Sequence, residues 1–130
     1  MKHLALAALL ALSLPRLAAA EVTLSEDMAT VTHDCAADGA LTVAGNNITV
    51  TLTGTCTDIV MSGNTNTLTG STKSLMLSGN TNTASLEIVD KIVASGNMNT
   101  ATWKRTSNPK KLKKPRISRP GNQNTIIRTK

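Results

Sequence analysis

Three near-identical phrases decide how this chain is read: Ser62-Gly63-Asn64-Thr65-Asn66-Thr67, Ser78-Gly79-Asn80-Thr81-Asn82-Thr83 and Ser95-Gly96-Asn97-Met98-Asn99-Thr100. Looser copies stand at Gly45-Asn46-Asn47-Ile48-Thr49 and Gly121-Asn122-Gln123-Asn124-Thr125. Their glycines follow one another at intervals of 18, 16, 17 and 25 residues. A period this short and this regular is the mark of a solenoid, in which each repeat is one coil laid on the last. The reading is therefore an all-β, single-domain β-solenoid, parallel β-helix-like, of about five coils with a period of about 17 residues.

Aligned on the glycine, the columns show how each coil is built. Four positions before it stand Leu41, Ile59, Leu75, Ile92 and Ile117; two before it stand Val43, Met61, Leu77, Ala94 and Arg119. Five after it stand Val50, Leu68, Ala84, Ala101 and Ile126. Polar residues alternate with them, which is the period of a strand with one buried face. Each repeat thus reads as strand, Gly-Asn turn, strand, and a variable turn such as Thr53-Gly54-Thr55 or Gly70-Ser71-Thr72.

The turn residues carry structural expectations. Gly45, Gly63, Gly79, Gly96 and Gly121 are expected at a corner with positive φ, where other residues are disfavoured. The Asn columns are Asn46, Asn64, Asn80, Asn97 and Asn122, and Asn66, Asn82, Asn99 and Asn124, with Ile48 breaking the second. Stacked Asn side chains are expected to bond along the stack as an amide ladder, satisfying turn groups that would otherwise be buried unpaired.

Composition agrees with this architecture. Trp103 is the one aromatic residue of the chain, whereas a compact globule draws much of its buried area from aromatics. Coils that bury aliphatics against one another do not need them. Residues 21–40 read as an N-terminal cap, 41–103 as the repeats, 104–120 as a basic loop bearing Pro109, Pro115 and Pro120, and 121–130 as the last coil and tail. Prolines cannot donate to a sheet ladder, so this loop suits the protection of an open edge.

The chain opens with a secretory signal peptide over residues 1–20. Met1-Lys2-His3 is a short basic start, Leu4 to Leu14 is apolar, and Ala18-Ala19-Ala20 suits cleavage before Glu21. No later segment is long and apolar enough for a membrane helix. The expected destination is the periplasm or the exterior. Cys35 and Cys56, the only two cysteines, are then expected to form a disulfide worth about 3 kcal/mol for a loop of this size. The competing reading, a metal pair completed by His33 and Asp34, is weaker because those two read as a short polar stretch.

Charge is segregated. Residues 21–103 hold all eight acids against only Lys73 and Lys91, a net −6, while residues 104–130 hold ten basic residues and no acid, a net +10. An acidic coil stack therefore carries a basic end.

The run Asp34-Cys35, Leu41 to Asn47, Leu52 to Cys56, the Ser-Gly-Asn-x-Asn-Thr copies, Trp103-Lys104 and Pro120 to Thr125 resembles the bacterial domain of unknown function 3060 family, small exported proteins with Ser-Gly-Asn-x-Asn repeats. The resemblance covers roughly residues 34–126 and implies export and a small β-solenoid. It supplies no activity and no catalytic residues. Ile48 in an Asn column and Arg119 in an apolar column depart from the pattern.

Functional classes sort as follows. Acid–base catalysis needs positioned titratable pairs, and Asp58, Glu87 and Asp90 in the repeat body share no register; no enzyme and no cofactor is expected. A repeated calcium site needs carboxylates, and the turn column is Asn. No metal is expected. Lys104, Arg105, Lys110, Lys111, Lys113, Lys114 and Arg116 form the candidate contact for an anionic partner: an envelope polymer, lipid headgroups or an acidic protein. Base-specific nucleic-acid binding is not expected without stacking aromatics. The alternative is an ice- or crystal-binding surface. Thr49, Thr67, Thr83, Thr100 and Thr125, with Thr51, Thr69, Ser85, Thr102 and Ile127, share one strand face, although Thr is also simply a favoured residue on exposed strands.

Overall fold

A computed structural model describes residues 21–130, so the signal peptide read at 1–20 lies outside the described residues. The described chain is all-β: β1 (Val22–Leu24), β2 (Thr30–Asp34), β3 (Ala40–Val43), β4 (Thr49–Met61), β5 (Thr67–Leu77), β6 (Thr83–Ile88), β7 (Lys91–Ala94), β8 (Thr100–Arg105), β9 (Arg116–Ser118) and β10 (Thr125–Arg128). Every strand pairing is parallel, with partners about one repeat apart, as in Leu41↔Ile59↔Leu75↔Ile92↔Ile117. The chain is a β-solenoid.

Each coil has two strand faces joined by a tight Gly-Asn corner and a variable corner. One face stacks β2, β4, β5, β6, β8 and β10; the other stacks β1, β3, β4, β5, β7 and β9. β4 and β5 serve both faces because they bend through the variable corner without breaking. Gly54 (φ 73°) and Gly70 (φ 135°) make those bends in a backbone region that suits glycine. Elsewhere the variable corner separates strands, and at 106–115 it holds the long basic insertion. The segment expected as a loop over 104–120 is thus shorter, since Lys104 and Arg105 end β8 and Arg116–Ser118 is β9.

The segment 21–40 is built as a rung of the stack. Val22 and Leu24 pair with Leu41 and Val43, and Thr30 to Asp34 pair with Thr49 to Thr53. This register sets Glu26, Asp27, Met28 and Ala29 over Gly45, Asn46, Asn47 and Ile48. Its corner lacks glycine and Asn, which is why the repeat was not legible there.

The alternating aliphatics form one continuous core. Leu41, Val43, Val50, Ile59, Met61, Leu68, Leu75, Leu77 and Ile92 are all at most 1% exposed, and burying such a side chain contributes roughly 1.5–3 kcal/mol. In the rung where the core columns shrink to Ala94 and Ala101, Trp103 is inside, packed in the same cluster. The single aromatic thereby restores volume where the aliphatics are smallest, as a close-packed interior requires. The Cys35–Cys56 disulfide is formed, and it ties the first variable corner to the second.

The corner glycines are not there for positive φ. That conformation falls two residues later, at Asn47, Thr65, Thr81, Met98 and Gln123, with φ of 53–59°, and at Met28 in the first rung. The glycines are required because adjacent corners nearly touch. A Cβ on Gly63, Gly79 or Gly96 would lie 1.7 Å from the carbonyl oxygen of the glycine one rung earlier. No real contact is so short, and the obstacle is backbone.

Positions two residues apart in the same corner should therefore respond with opposite sign. Gly79→Ala is expected to lower stability by at least about 3 kcal/mol, because whole rungs must separate. Thr81→Gly is expected to raise it by up to about 1 kcal/mol, by relieving a left-handed β-branched residue. Urea unfolding of both variants checks the pair; a mild Gly79→Ala would remove the close approach from the account.

Candidate functional site

The two Asn columns do different work. In the outer column, Asn64 Nδ2 and backbone N–H both donate to Asn46 Oδ1 at 3.0 Å. Asn80 repeats this on Asn64, and Asn97 Nδ2 donates to Asn80 Oδ1. This is the expected side-chain ladder. It starts on a carboxylate, because Asn46 donates from N and Nδ2 to Asp27 Oδ1.

The inner column bonds to backbone instead of to itself. Asn66, Asn82 and Asn99 are fully buried. Asn82 Nδ2 donates to the Gly63 carbonyl at 2.8 Å, while its Oδ1 accepts from the Asn66 backbone N–H at 2.9 Å. Asn66 does the same for Gly45 and Ile48, Asn99 for Gly79 and Asn82, and Asn124 for Gly96 and Asn99. Each inner Asn thus caps the corner of the rung before it. The expected amide ladder is corrected here: an amide presents one acceptor and one donor edge at the spacing of the Gly carbonyl and the N–H three residues on.

The Thr columns lie outward and in register, Thr49↔Thr67↔Thr83↔Thr100↔Thr125 and Thr51↔Thr69↔Ser85↔Thr102↔Ile127. Sequence reading missed their first members, Thr30 and Thr32, which pair with Thr49 and Thr51. The array spans six rungs. Ser85 interrupts it at a shallow groove that Thr69, Thr102, Glu87 and Lys104 also line.

The basic residues gather at the other end of the molecule from the first rung. Lys104, Arg105, Lys110, Lys111, Lys113, Lys114 and Arg116 are all exposed. Among the described residues, Lys104 alone of these reaches an acid, Glu87, at 3.0 Å. The insertion is pinned at its start, where Asp90 accepts from Ser107 N–H and Oγ. Thr106 Oγ1 donates to the Leu112 carbonyl, and Pro115 is buried. On the strand that follows, Arg116 stacks directly on Lys91. Such adjacent like charges are unfavourable, so the end of the stack holds positive potential at some cost to its own stability. Arg128 lies over Trp103 with its guanidinium 5.2 Å from the ring centroid, and its Nε donates to the Lys104 carbonyl.

His33, Cys35 and Cys56 come together with their ligand atoms within 4.8 Å of one another, all three buried. The sulfurs are bonded to each other, and His33 Nε2 lies 2.8 Å from the Asp38 carbonyl, which accepts its proton. Of the expected acids, Asp58 is exposed on one face, and Glu87 and Asp90 are engaged as above; the three are not brought together in one cleft. Among the described residues no helix is long and apolar enough to cross a membrane.

Comparison with known proteins then bears on this geometry. The family described as "Protein of unknown function (DUF3060)" matches residues 62–123. That stretch, 62 of the 130 residues, is similar to the family. The DUF3060 match takes in the three close copies of the repeat phrase and stops short of the first rungs, although Val22–Met61 pair in the same register. No curated protein and no solved structure matches the chain.

The two columns should be separable by mutation. Asn82→Ala strands a buried N–H and a buried carbonyl and is expected to cost about 3 kcal/mol. Asn80→Ala sits where water replaces the lost bonds and should cost less than about 1 kcal/mol. Equal costs in denaturant titrations would refute the division of labour.

Proposed function

We propose that this protein is a non-catalytic, exported β-solenoid with a structural or interaction role in the bacterial envelope, and that its basic C-terminal end contacts an anionic partner. The observation that carries this reading is the segregation of unneutralised charge. Six of the seven candidate basic residues have no acidic partner among the described residues, and they crowd one end of a rigid stack. Fixed like charges raise the local potential and draw in polyanions, phosphate headgroups or acidic protein surfaces. Export is supported by the leader-like residues 1–20 and by a disulfide of the kind that persists in oxidising compartments.

The test is titration with fluorescent inorganic polyphosphate and, separately, with vesicles containing anionic lipid. At about 1 kcal/mol per basic residue near an anionic surface, changing Lys110, Lys111, Lys113 and Lys114 to Ser should weaken binding at least a hundredfold. Raising salt should weaken the native protein's binding steeply. Unchanged affinity in the quadruple variant would discard the basic insertion as a contact. The N-terminus of the protein recovered from the envelope is expected at Glu21.

One observation favours a second reading, a surface binder acting through its Thr face: Thr30 and Thr32 extend the in-register array to the first rung. Its neighbouring Thr residues recur at about 4.8 Å along the stack. Loss of crystal shaping on replacing Thr67 and Thr83 with bulky residues would support it, and unaltered shaping would end it.

A further inference from the structure

The two ends of the stack are chemically unlike, and the difference concerns what each can accept. In the interior, every rung offers its neighbour the same set of corner groups. The residue two after the glycine donates its N–H to the next rung's outer Asn carbonyl, as Thr65 does to Asn80 and Met98 to Asn122. The next N–H and the glycine carbonyl are capped by the next rung's inner Asn. At the last rung these groups are Gln123 N–H, Asn124 N–H, the Gly121 carbonyl and the Asn124 carbonyl, and none has a partner among the described residues. Thr125 and Thr129 donate back to the preceding rung. The alternation of a parallel ladder therefore turns the N–H and C=O groups of Ile126 and Arg128 outward. Ile127 between them is 52% exposed, and Ile117 on β9 is 42% exposed.

The first rung is closed to addition by its own residues. Corner Cβ positions point toward the preceding rung, as the Gly63 and Gly79 approaches show. Glu26 occupies the glycine position of the first rung, so its side chain stands where a further rung's carbonyl would have to lie. Ala29 occupies the inner Asn position and has no amide with which to cap one. Head-to-tail stacking of a second copy satisfies charge but fails on these two residues. Tail-to-tail pairing would set Arg116, Arg119, Arg128 and Lys130 of each copy against their equivalents.

The geometry points to strand addition at the C-terminal edge: β10 and the Gly121–Asn124 corner accept an extended acidic polypeptide segment as one further parallel rung. This inference rests on the anionic-partner reading and specifies its chemistry. Backbone groups give the attachment, as in other sheet-edge recognition, and the rim of Arg116, Arg119, Arg128 and Lys130 selects acidic side chains. An exposed strand edge ordinarily invites pairing of any sequence. Here the charge restricts which sequence pairs.

The experiment uses the isotope-labelled chain, produced with its own leader, with inorganic polyphosphate as the reference ligand and three further probes. One is a peptide of about eight residues alternating Val and Glu, which is strand-forming. The second is polyglutamate of the same net charge, and the third is anionic-lipid vesicles. Amide exchange at Ile126, Arg128, Gln123 and Asn124 is followed by NMR. The expected result is at least about tenfold slower exchange at these amides with the alternating peptide, and little change with polyglutamate. An Ile126→Pro variant removes one outward N–H and should weaken the peptide while leaving polyphosphate binding intact; its circular dichroism reports whether the stack is kept. Equal binding of both peptides without edge protection would overturn strand addition and leave the basic-end reading standing. Binding to vesicles or polyphosphate alone would do the same. No binding of any probe at low salt would overturn both readings, and concentration-dependent self-association through the same amides would replace the acidic partner with a second copy.

Discussion

Everything in this molecule depends on how closely one corner sits on the next. Stacked strands lie at the ordinary sheet spacing, but at the corner a glycine is set so near the carbonyl of the glycine one rung before that no Cβ fits between them. That approach lets the inner Asn reach back to cap the previous corner's carbonyl and N–H, with none of its polar atoms left unsatisfied in the buried interior. The left-handed residue that follows is part of the same constraint. Thr65 and Thr81 hold a conformation that costs a non-glycine residue roughly 1–2 kcal/mol. They hold it because their N–H groups then meet the carbonyl of the next rung. Strain at one position is thus offset by bonding at three others, and repeating the phrase repeats the bargain.

The fold was legible because this constraint recurs. Glycine spacing, alternation and the Asn columns each report the same period, so strands, corners and the buried face are written in the chain itself. What the sequence did not disclose is why glycine is needed, since positive φ and close approach select the same residue. The distinction lies in the neighbours: only the structure shows that Asn47, Thr65, Thr81, Met98 and Gln123 carry the positive φ. The first rung was illegible for a related reason. Its corner reads Glu26-Asp27-Met28-Ala29, which shares only Met28 with a repeat phrase (Met98 in the same column), although Val22, Leu24, Val31 and the Thr30-x-Thr32 pair keep the strand pattern intact.

The candidate surfaces were legible as composition and not as geometry. The basic run was evident from charge alone, but its division into the end of β8, a pinned insertion and β9 depends on Asp90 holding Ser107 and on Pro115 turning inward. Like charges on Lys91 and Arg116 in adjacent rungs belong to no sequence motif, because their separation of 25 residues exceeds the period. Positive charge is concentrated on the 106–115 insertion and on Arg116 beside Lys91, where it gains nothing for the fold, and that unrewarded placement is the strongest reason to look for an anion there.

Ile48 shows how direction is written into the stack. An inner Asn always serves the rung before it, so the Asn absent from position 48 is absent from the service of the first rung alone. Glu26, Asp27 and Met28 of that corner are exposed, Ala29 packs against the core, and Ile48 takes the inner position as an apolar residue buried at 1% exposure. The other departure, Arg119 in an apolar column, lies on the last rung with no strand beyond it among the described residues, and a long charged side chain can snorkel there. Both exceptions therefore follow from which end of a one-directional stack they occupy. A stack whose capping runs one way cannot have equivalent ends: the first described rung has altered corner residues, Glu26 to Ala29, whereas the last described rung, Gly121 to Asn124, keeps the Gly-Asn-x-Asn form of the phrase. That asymmetry is why the two edges should differ in what they bind.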